Sequence, residues 1–472
     1  MTDWSHGYDV STGYTYGFGR EMAPAWLDLC ARMAGWQPPA TGARRRYIDL
    51  GCGQGMGVAL LAAACPDIDF VGIDFHPDHI DHANGLAAAA GLTNVRFEQA
   101  DFLARATDWP ADYGQFDYAV MHGISSWVSP EVRAAVIACL AHATQPGSLV
   151  YNSYNTQPGW LATIPFQHIT QRIKATSGKQ GRAVIDESVA LFDRLRAGGA
   201  DTFRILPGLK AQVEAVKTKN TAYLSGEYLS EHWHPFWHSE MAAEFAAADL
   251  SYLGPATVAE TMLPALLPPP LRDTVLAQGD PGLREDVQDF VINQSFRRDI
   301  YCRGPWPNAG RQLGALGDVR LALAERPAGD DVKINAAFGE ISLKTQALAE
   351  IVASLGRGPQ SIVELAALPS MRGQGQANVT QMMLLLLHAG VLAIDGATND
   401  AAPAQRLNRV IAQRVADGMP YEFLAAPEIA SAIGATFDDL RRLNSWMSEG
   451  TGLPDAFLEH TLPRWRKLGA VA

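Results

Sequence analysis

The sequence lacks the long hydrophobic runs and the cysteine pairs that would assign it to a membrane or to an oxidising compartment. No apolar stretch in its 472 residues reaches the roughly 20 residues of a transmembrane helix. Its N-terminus also lacks the basic-then-apolar order of a signal peptide. The five cysteines are odd in number, scattered and without a C-x-x-C spacing: Cys30, Cys52, Cys65, Cys139 and Cys302. Such cysteines are typical of reduced, mostly buried thiols, so we expect a cytoplasmic protein without a membrane span.

Positive charge is scarce as well. The chain has 38 Lys and Arg residues against 50 Asp and Glu residues, which gives a net charge of −12 at pH 7. This balance argues against a nucleic-acid-binding surface as the main function. Hydrophobic residues make up 47% and charged residues 19%, as in an ordinary globular protein. A chain of 472 residues is too long for one compact core, so we expect two or three domains.

The feature that organises the sequence is a stretch, 46–101, in which predicted strands and helices alternate. In chain order these are strand 47–50, helix 58–64, strand 68–73, helix 77–90 and strand 95–97. This βαβαβ order predicts a parallel sheet, and open sheets of this kind bind ligands at the carboxyl ends of their strands.

A glycine-rich turn follows the first strand at Gly51, Gly53 and Gly55, and Asp49 lies two residues ahead of it. Glycines let the backbone turn sharply and bring its amides against a ligand. The spacing is G-x-G-x-G, whereas a dinucleotide fingerprint needs G-x-G-x-x-G. The turn resembles motif I of class I S-adenosylmethionine-dependent methyltransferases. The alternative is that these are ordinary turn residues of an α/β protein.

Acids at the ends of the next two strands favour the cofactor hypothesis. Asp74 is positioned to accept both ribose hydroxyls and Asp101 to read the adenine amino group, since a carboxylate accepts hydrogen bonds from each. We therefore predict S-adenosyl-L-methionine as the cofactor, with S-adenosyl-L-homocysteine as its product. The predicted cofactor-binding residues are Asp49, Gly51, Cys52, Gly53, Gly55, Asp74, Phe75, Asp101, Phe102, His122 and Gly123.

The fourth and fifth predicted strands, 116–121 and 148–152, end in polar and aromatic segments. These segments read His122-Gly123-Ile124-Ser125-Ser126-Trp127-Val128 and Tyr154-Asn155-Thr156-Gln157-Pro158-Gly159-Trp160. Together they resemble the bacterial methyltransferases that carry a methyltransferase regulatory domain, a family that includes protein-lysine methyltransferases acting on surface proteins. The resemblance is strong over 45–160 and weaker up to about 310. Gln157 departs from it, because many relatives carry a tyrosine there.

The resemblance implies an α/β fold in which residues 1–310 form a Rossmann-like, seven-stranded class I methyltransferase sheet. A helical insertion is expected at about 161–225 and a regulatory-domain-like segment at about 226–310. That segment would supply the sixth strand, 250–254, and an antiparallel seventh strand within 293–302. Residues 311–472 are expected to form a C-terminal, mostly helical α+β domain with a winged-helix-like order of elements.

The two polar and aromatic segments also contain the candidates for catalysis, which are His122, Trp127, Tyr154, Asn155 and Trp160. A lysine acceptor must arrive neutral, and burial among aromatic rings favours the neutral amine and attracts the methylated cation. The same side chains have a second interpretation as core or cofactor-packing residues. The predicted function is an S-adenosylmethionine-dependent protein N-methyltransferase that acts on lysine by in-line transfer. A small-molecule methyltransferase and a cofactor-binding regulatory protein without catalysis are the alternatives.

Other segments carry weaker signals. His234 and His238 are four residues apart, but Pro235 interrupts the helix between them, so we expect no metal site.

The helical insertion at about 161–225 is locally basic. It is interpreted as a solvated helical pair, a homodimer contact or a docking surface for an acidic protein. Between 362 and 400 the only lysine or arginine is Arg372, which disfavours DNA binding and favours contact with a protein substrate. Aromatic residues near the N-terminus either pack on the domain or form a lid: Trp4, Tyr8, Tyr14, Tyr16 and Phe18.

Overall fold

The computed structural model describes residues 7, 15–39, 44–219, 221–304, 316–327, 329, 331–336, 339–344, 347–396, 400–450 and 454–472. Three of the N-terminal aromatic residues, Trp4, Tyr8 and Tyr14, lie outside these ranges. Across the described ranges, no helix is both long enough and apolar enough to cross a bilayer.

One large sheet dominates the first 303 residues. Its strands are β1 (Arg45–Leu50), β2 (Ile68–Asp74), β3 (Val95–Gln99), β4 (Phe116–His122), β5 (Thr144–Asn155), β6 (Leu250–Pro255) and β7 (Phe296–Arg303). Within the described residues these seven strands lie in the order β3-β2-β1-β4-β5-β7-β6. Strands β1 to β5 are parallel, whereas β7 is antiparallel to both of its neighbours. The predicted methyltransferase sheet, including its antiparallel strand, is confirmed.

Helices cover both faces of this sheet, so its central strands are apolar on both sides. In β1, Tyr47 packs into one core cluster and its neighbour Ile48 into the other. In β5, Tyr151 and Val150 divide in the same way, because successive side chains of a strand point to opposite faces. The covering helices in the first half of the sheet are α1 (Pro24–Met33), α2 (Met56–Ala64), α3 (Pro77–Ala90), α4 (Phe102–Thr107) and α5 (Pro130–Ala143).

The insertion between β5 and β6 is helical, as predicted. Its described helices are α6 (Ile164–Ser177), α7 (Arg182–Ala197), α8 (Thr202–Ile205), α9 (Pro207–Val216) and α10 (Thr221–Leu229). They enclose their own small core around Phe166, Phe192 and Tyr228. The apolar periodicity of the insertion predicts two helices, at about 184–195 and 209–223. Helix α6 was missed because it buries little more than Phe166 and Thr170, and so shows almost no apolar periodicity.

The chain then returns to the sheet through α11 (His238–Ala246), α12 (Val258–Thr261), α13 (Pro269–Leu276) and α14 (Pro281–Ile292). These helices flank β6 and β7. The two histidines considered as metal ligands separate here. The imidazole of His234 packs against the ring of Phe236 with centroids 4.5 Å apart, and His238 Nδ1 lies 3.2 Å from Asp299 Oδ2.

The C-terminal part begins with a winged-helix-like set of elements. These are β8 (Arg320–Leu323), β9 (Asp331–Ala336), β10 (Gly339–Lys344), α15 (Ala347–Gly356), β11 (Gln360–Ser361), α16 (Ile362–Ala366), α17 (Gln376–His388) and β12 (Leu392–Ile394). Strands β11 and β12 flank β8 in a small antiparallel sheet. The alternating pattern over 319–324 predicts an exposed strand, and this prediction is wrong, because three of the four residues of β8 are buried under the adjacent helices.

The remaining elements are α18 (Ala402–Ala416), β13 (Phe423–Ala426), β14 (Ser431–Gly434), α19 (Phe437–Glu449), a π-helical turn over Phe457–Thr461 and α20 (Leu462–Lys467). Helix α18 packs against α2 and α3 of the methyltransferase sheet. Arg406 donates to the carbonyl oxygen of Ala90 at 3.0 Å, and Arg414 donates to that of Gly85 at 2.9 Å. Arg406 lies at the C-terminal end of α3, where the helix dipole stabilises a cation, and the two contacts together fix the C-terminal part against α3.

Arg297 on β7 lies at the centre of a buried ionic network. Its Nη1 donates to both carboxylate oxygens of Asp289 at 2.8 Å, its Nε to Asp299 Oδ1 at 3.0 Å and its Nη2 to Glu285 Oε2 at 2.9 Å. The hydroxyl of Tyr154 also donates to Asp299, at 2.6 Å. Buried carboxylates are tolerated only when such partners are present.

This network generates a stability prediction. Substituting Arg297→Met removes the cation and leaves Asp289 and Asp299 buried without their partner, which costs about 3–5 kcal/mol in comparable networks. We expect a clearly lower urea midpoint of unfolding. Arg204→Met is the control, because Arg204 pairs with Asp201 on the surface, where such pairs contribute about 0–1 kcal/mol. Equal midpoints for the two variants would show that the network contributes little to stability.

Candidate active site

The glycine-rich turn after β1 adopts the conformation that its sequence requires. Gly51, Gly53 and Gly55 all have positive φ, at 88°, 52° and 71°. A Cβ atom at Gly51 would overlap the side chain of Ile124, and one at Gly55 would overlap Ala83. Glycine is therefore needed both for the backbone conformation and for the close packing of the turn against its neighbours.

Asp74, at the end of β2, holds this turn in place. Its Oδ2 accepts a hydrogen bond from the amide of Gly53 at 2.9 Å. Its Oδ1 accepts from the amide of His76 at 2.9 Å and lies 3.2 Å from His79 Nδ1. Since each carboxylate oxygen has two lone pairs, Oδ2 can accept one more donor, such as a ribose hydroxyl.

Asp49, at the end of β1, is buried and only partly satisfied. The residue is 6% exposed, and among the described residues its Oδ1 has no hydrogen-bond partner. Burial, and then the nearby charge of Asp74, raise the pKa of Asp49 to about 8. A buried carboxylate with an unused oxygen fits a cationic ligand, and S-adenosylmethionine carries a positive sulfonium centre.

Asp49 lines a cavity of about 470 Å³ that joins distant parts of the chain. The residues that line it are Thr15, Gly17, Phe18, Gly19, Arg20, Glu21, Met22, Asp49, Gly51, Cys52, Gln54, Met56, Gly57, His122, Arg298, Phe423, Ala432 and Gly434. The last three belong to the β13–β14 hairpin, so the C-terminal part of the chain covers the cavity next to the glycine-rich turn.

The other residues predicted to bind the cofactor lie near the ends of the neighbouring strands. Asp101 is exposed and caps α4 by accepting from the amide of Leu103 at 2.9 Å, whereas the ring of Phe102 is buried in the core beneath it. Phe75 is partly buried beside the ring of His76. The amide of Gly123 donates to the hydroxyl of Ser153 at 3.0 Å. Cys52 lines the cavity described above.

His122, at the end of β4, is a partly buried, neutral imidazole. Its Nδ1 lies 2.8 Å from Ser153 Oγ and 3.2 Å from the hydroxyl of Tyr151. Burial, and then the positive charge of Arg298, lower the pKa of His122 to about 4. The ring therefore carries no charge at neutral pH and can exchange hydrogen bonds with a ligand.

Beyond His122, the tryptophans Trp127, Trp160 and Trp233 form an aromatic cluster with Phe296 packed against it. The rings of Trp160 and Trp233 meet edge to face with centroids 5.4 Å apart, and the ring of Phe296 lies 6.1 Å from that of His122. The cluster is thus adjacent to the carboxyl ends of β4 and β5. The structure brings His122, Trp127, Asn155 and Trp160, all predicted from the sequence, to this region.

Tyr154 is not brought to this group. Strand β5 continues to Asn155 instead of ending near Asn152 as predicted, so Tyr154 and Asn155 point to opposite faces of the sheet. Tyr154 is fully buried, and its hydroxyl joins the network of Arg297 and Asp299.

Other residues at the site were not singled out from the sequence. Glu227 on α10 accepts hydrogen bonds at Oε2 from Asn155 Nδ2 at 2.9 Å and from Trp233 Nε1 at 3.1 Å. Glu227 is separated from Asn155 by 72 residues, and nothing in the local pattern of α10 marks it as different from an exposed glutamate. Phe423 was missed because the β13–β14 hairpin itself was not predicted.

Comparisons with known proteins agree with this geometry. A family model described as a methyltransferase domain matches residues 48–147, and one described as a predicted methyltransferase regulatory domain matches residues 220–303. The uncharacterized protein sll1526 of Synechocystis is 31% identical over 437 residues, which cover 91% of this chain and 85% of that protein. The chain belongs to the class I methyltransferases that carry this regulatory domain. It is an S-adenosylmethionine-dependent methyltransferase, as the motifs predicted.

Solved structures agree on the fold. The structure of PKMT2 from Rickettsia typhi in complex with AdoHcy matches with a TM-score of 0.71 and 19% identity, over 96% of this chain and 92% of that one. The uncharacterized protein RP789 of Rickettsia prowazekii is 28% identical over 290 residues, which cover 59% of this chain and 49% of that protein. The match to PKMT2 extends through the C-terminal part of this methyltransferase, so its winged-helix-like elements have a structural counterpart.

The position of Asp49 generates a prediction about pH. Only the ionised carboxylate attracts a cation, and below a pKa of about 8 the ionised fraction rises about tenfold per pH unit. We expect the affinity for S-adenosylmethionine, measured by calorimetry, to rise from pH 5.5 to 7.5. Asp49→Asn should bind more weakly and lose this rise. Ionisation of the ligand itself affects the unmodified enzyme and Asp49→Asn equally. If the affinity of the two proteins therefore changes in parallel with pH, Asp49 is excluded as the titrating group.

The hairpin over the cavity generates a second prediction. Phe423→Ala removes a ring that lines the cavity, and we expect weaker binding of S-adenosylmethionine by about 1 kcal/mol, or about fivefold. Val363→Ala is the matched control, since Val363 belongs to the same part of the chain but is exposed elsewhere on α16. Equal dissociation constants for both variants and the unmodified enzyme would mean that the hairpin does not contact the cofactor.

Proposed function

We propose that this methyltransferase is a protein N-methyltransferase whose acceptor is the side-chain amine of lysine. The observation that carries the proposal is the aromatic cluster of Trp127, Trp160, Trp233 and Phe296 beside His122. Aromatic faces attract ammonium groups, with the strongest effect for tryptophan and for desolvated sites. An oxygen acceptor or a carboxylate substrate gains nothing from such surroundings.

The residues have separate tasks in this proposal. When bound, S-adenosylmethionine supplies an electrophilic methyl group on a positively charged sulfur. Asp49, the glycine-rich turn, Asp74 and Asp101 hold the cofactor at the ends of β1 to β3. His122 and Asn155 orient the amine at the ends of β4 and β5, and the aromatic rings exclude water. Transfer is in line, so alignment and removal of water account for most of the catalysis.

The surroundings of the site support a macromolecular substrate. The helical insertion contributes α10 to the aromatic cluster, and the regulatory segment contributes Trp233, so the walls of this region come from parts that a minimal class I sheet lacks. The Rickettsia typhi protein that shares the fold is named as a protein lysine methyltransferase. Small-molecule methylation is the competing function, and the same experiment distinguishes the two.

The test is transfer of radiolabelled methyl from S-adenosylmethionine, with the purified enzyme and a lysate of the source organism. We expect label on a protein band, and methylated lysine after acid hydrolysis of that band. His122→Ala should lower transfer about 10²-fold or more if the imidazole orients the acceptor. Its cofactor affinity, measured by calorimetry, separates an acceptor role from a cofactor role.

Label confined to the solvent-extractable small-molecule fraction would contradict the protein substrate. Label on protein that is released by mild base, as a methyl ester is, would contradict the amine acceptor. Cofactor binding without any transfer would favour a regulatory protein. Arg204→Met, altered on the exposed surface of the insertion, serves as the matched control and should transfer at the unmodified rate.

A further inference from the structure

Among the described residues, a buried glutamate that forms no ion pair lies beside the aromatic cluster. Glu227 is 5% exposed, and its Oε2 accepts from Asn155 Nδ2 at 2.9 Å and Trp233 Nε1 at 3.1 Å. Tyr223, one turn earlier on α10, also hydrogen-bonds this carboxylate. In the part of the chain that the structure describes, no lysine or arginine forms an ion pair with Glu227. The ammonium of Lys219 lies instead over the ring of Tyr223, 4.7 Å from its centroid.

A second polar group at the same place also lacks a partner. Trp127 is 9% exposed, and among the described residues its indole Nε1 donates to nothing. The cluster therefore has beside it a buried carboxylate that is hydrogen-bonded but forms no ion pair, and it contains a buried donor that is unused among the described residues. A buried charge without an ion-pair partner and a buried donor without an acceptor are both stabilised when a ligand supplies the missing group. A ligand that does so carries a positive charge for Glu227 and a hydrogen-bond acceptor for Trp127.

The position of Glu227 along the sheet suits a reacting group. His122 pairs in register with Ser153 on β5, and Asn155 is two residues further toward the carboxyl end of that strand. Two residues of a strand span about 7 Å, so the hydrogen-bonded pair of Asn155 and Glu227 lies close to the side of the cavity that His122 lines. Phe296 is in register with Asn155, and the centroid of its ring lies 6.1 Å from that of His122.

We propose that Glu227 binds the acceptor ammonium between the rings of Trp127, Trp160 and Trp233 and takes its proton before methyl transfer. This inference rests on the proposed function and adds a catalytic residue to it. One carboxylate beside flat aromatic rings favours a cationic primary or methylated amine. It disfavours carboxylate and hydroxyl acceptors, which bring no positive charge to Glu227.

The step is balanced without any further reactant. One N–H bond of the ammonium breaks and its proton passes to the Glu227 carboxylate, which leaves a lone pair on the nitrogen. A new N–C bond then forms as the S–C bond breaks, giving a methylated ammonium and neutral S-adenosylhomocysteine. Glu227 returns its proton to solvent when the product leaves. Burial raises the pKa of Glu227, which makes the carboxylate a better proton acceptor than an exposed glutamate.

The test compares Glu227→Gln with the unmodified enzyme across pH, using the labelled lysate protein as the acceptor. Glutamine keeps the size of the side chain and an oxygen that can accept from Asn155 and Trp233, so cofactor affinity should be unchanged. At pH 7.5 we expect transfer to fall by about 10²–10⁴-fold. The variant should recover about tenfold per pH unit toward pH 10, because the amine then loses its proton to solvent. Glu227→Asp, which keeps a carboxylate, should retain the pH profile of the unmodified enzyme at a lower rate.

The pH profile separates this role from a structural one. The titratable or charged groups that interact with Glu227 are Tyr223, Tyr228 and Lys219, and all of them are the same in both proteins. A reduction of equal size at every pH, or no reduction, would overturn the proposal while leaving lysine methylation intact. Glu214→Gln removes a surface carboxylate from the same insertion and should leave transfer unchanged.

If no protein is labelled, the proposed function fails, and a binding measurement still tests the site. The probes are n-butylammonium, which reproduces the end of a lysine side chain, and n-butanol, its neutral counterpart. With S-adenosylhomocysteine present, the unmodified enzyme should bind the ammonium and not the alcohol, and Glu227→Gln should bind neither. Equal binding of both probes, or unchanged binding in the variant, would overturn the ammonium site.

Discussion

The stability and the chemistry of this protein depend on carboxylates that are buried at the sheet, because each of them needs a positive charge or several hydrogen-bond donors in place of water. On one face of the sheet Arg297 meets this need, with Asp289 at 2.8 Å and Asp299 at 3.0 Å. On the other face Asp49 and Glu227 are also buried, and among the described residues neither forms an ion pair with an arginine or a lysine. On the first face, the fold itself supplies the positive charge that the buried carboxylates need. In the functions proposed above, cationic ligands supply the missing positive charge on the second face.

Much of the sheet could be predicted because its signals are local. The apolar strands, the left-handed glycines and the acids at the strand ends are each encoded within a few residues, and helix α3 begins and ends at the predicted residues, 77 and 90. The antiparallel β7 was also predicted, since the family resemblance extended that far. The hairpin β13–β14 was not, because its first strand reads Phe-Leu-Ala-Ala and its turn contains no Asn-Gly or Asp-Gly pair.

The acceptor region was predicted less completely than the cofactor region, and the reason is geometric. A strand that runs three residues longer than expected changes which of two neighbours faces the site, so Tyr154 joined the Arg297 network while Asn155 met Glu227. Glu227 itself could not be found from a single sequence. The role of Glu227 depends on its hydrogen bond with Asn155, which lies 72 residues earlier in the sequence. This hydrogen bond joins an inserted helix to a central strand. Local patterns carry no information on such a contact.

Two parts outside the sheet flank the site from different sides. The β13–β14 hairpin covers the cavity that Asp49 lines, and the Arg406 and Arg414 contacts with α3 fix α18, on which this hairpin packs. Helix α10 instead borders the aromatic cluster, where Tyr223 and Leu161 are exposed to solvent. With the cofactor side covered, the proposed function requires a protein substrate to approach from the side of the insertion. In that proposal a lysine side chain meets the rings before it meets the cofactor, so the charge of the amine is recognised first and removed second.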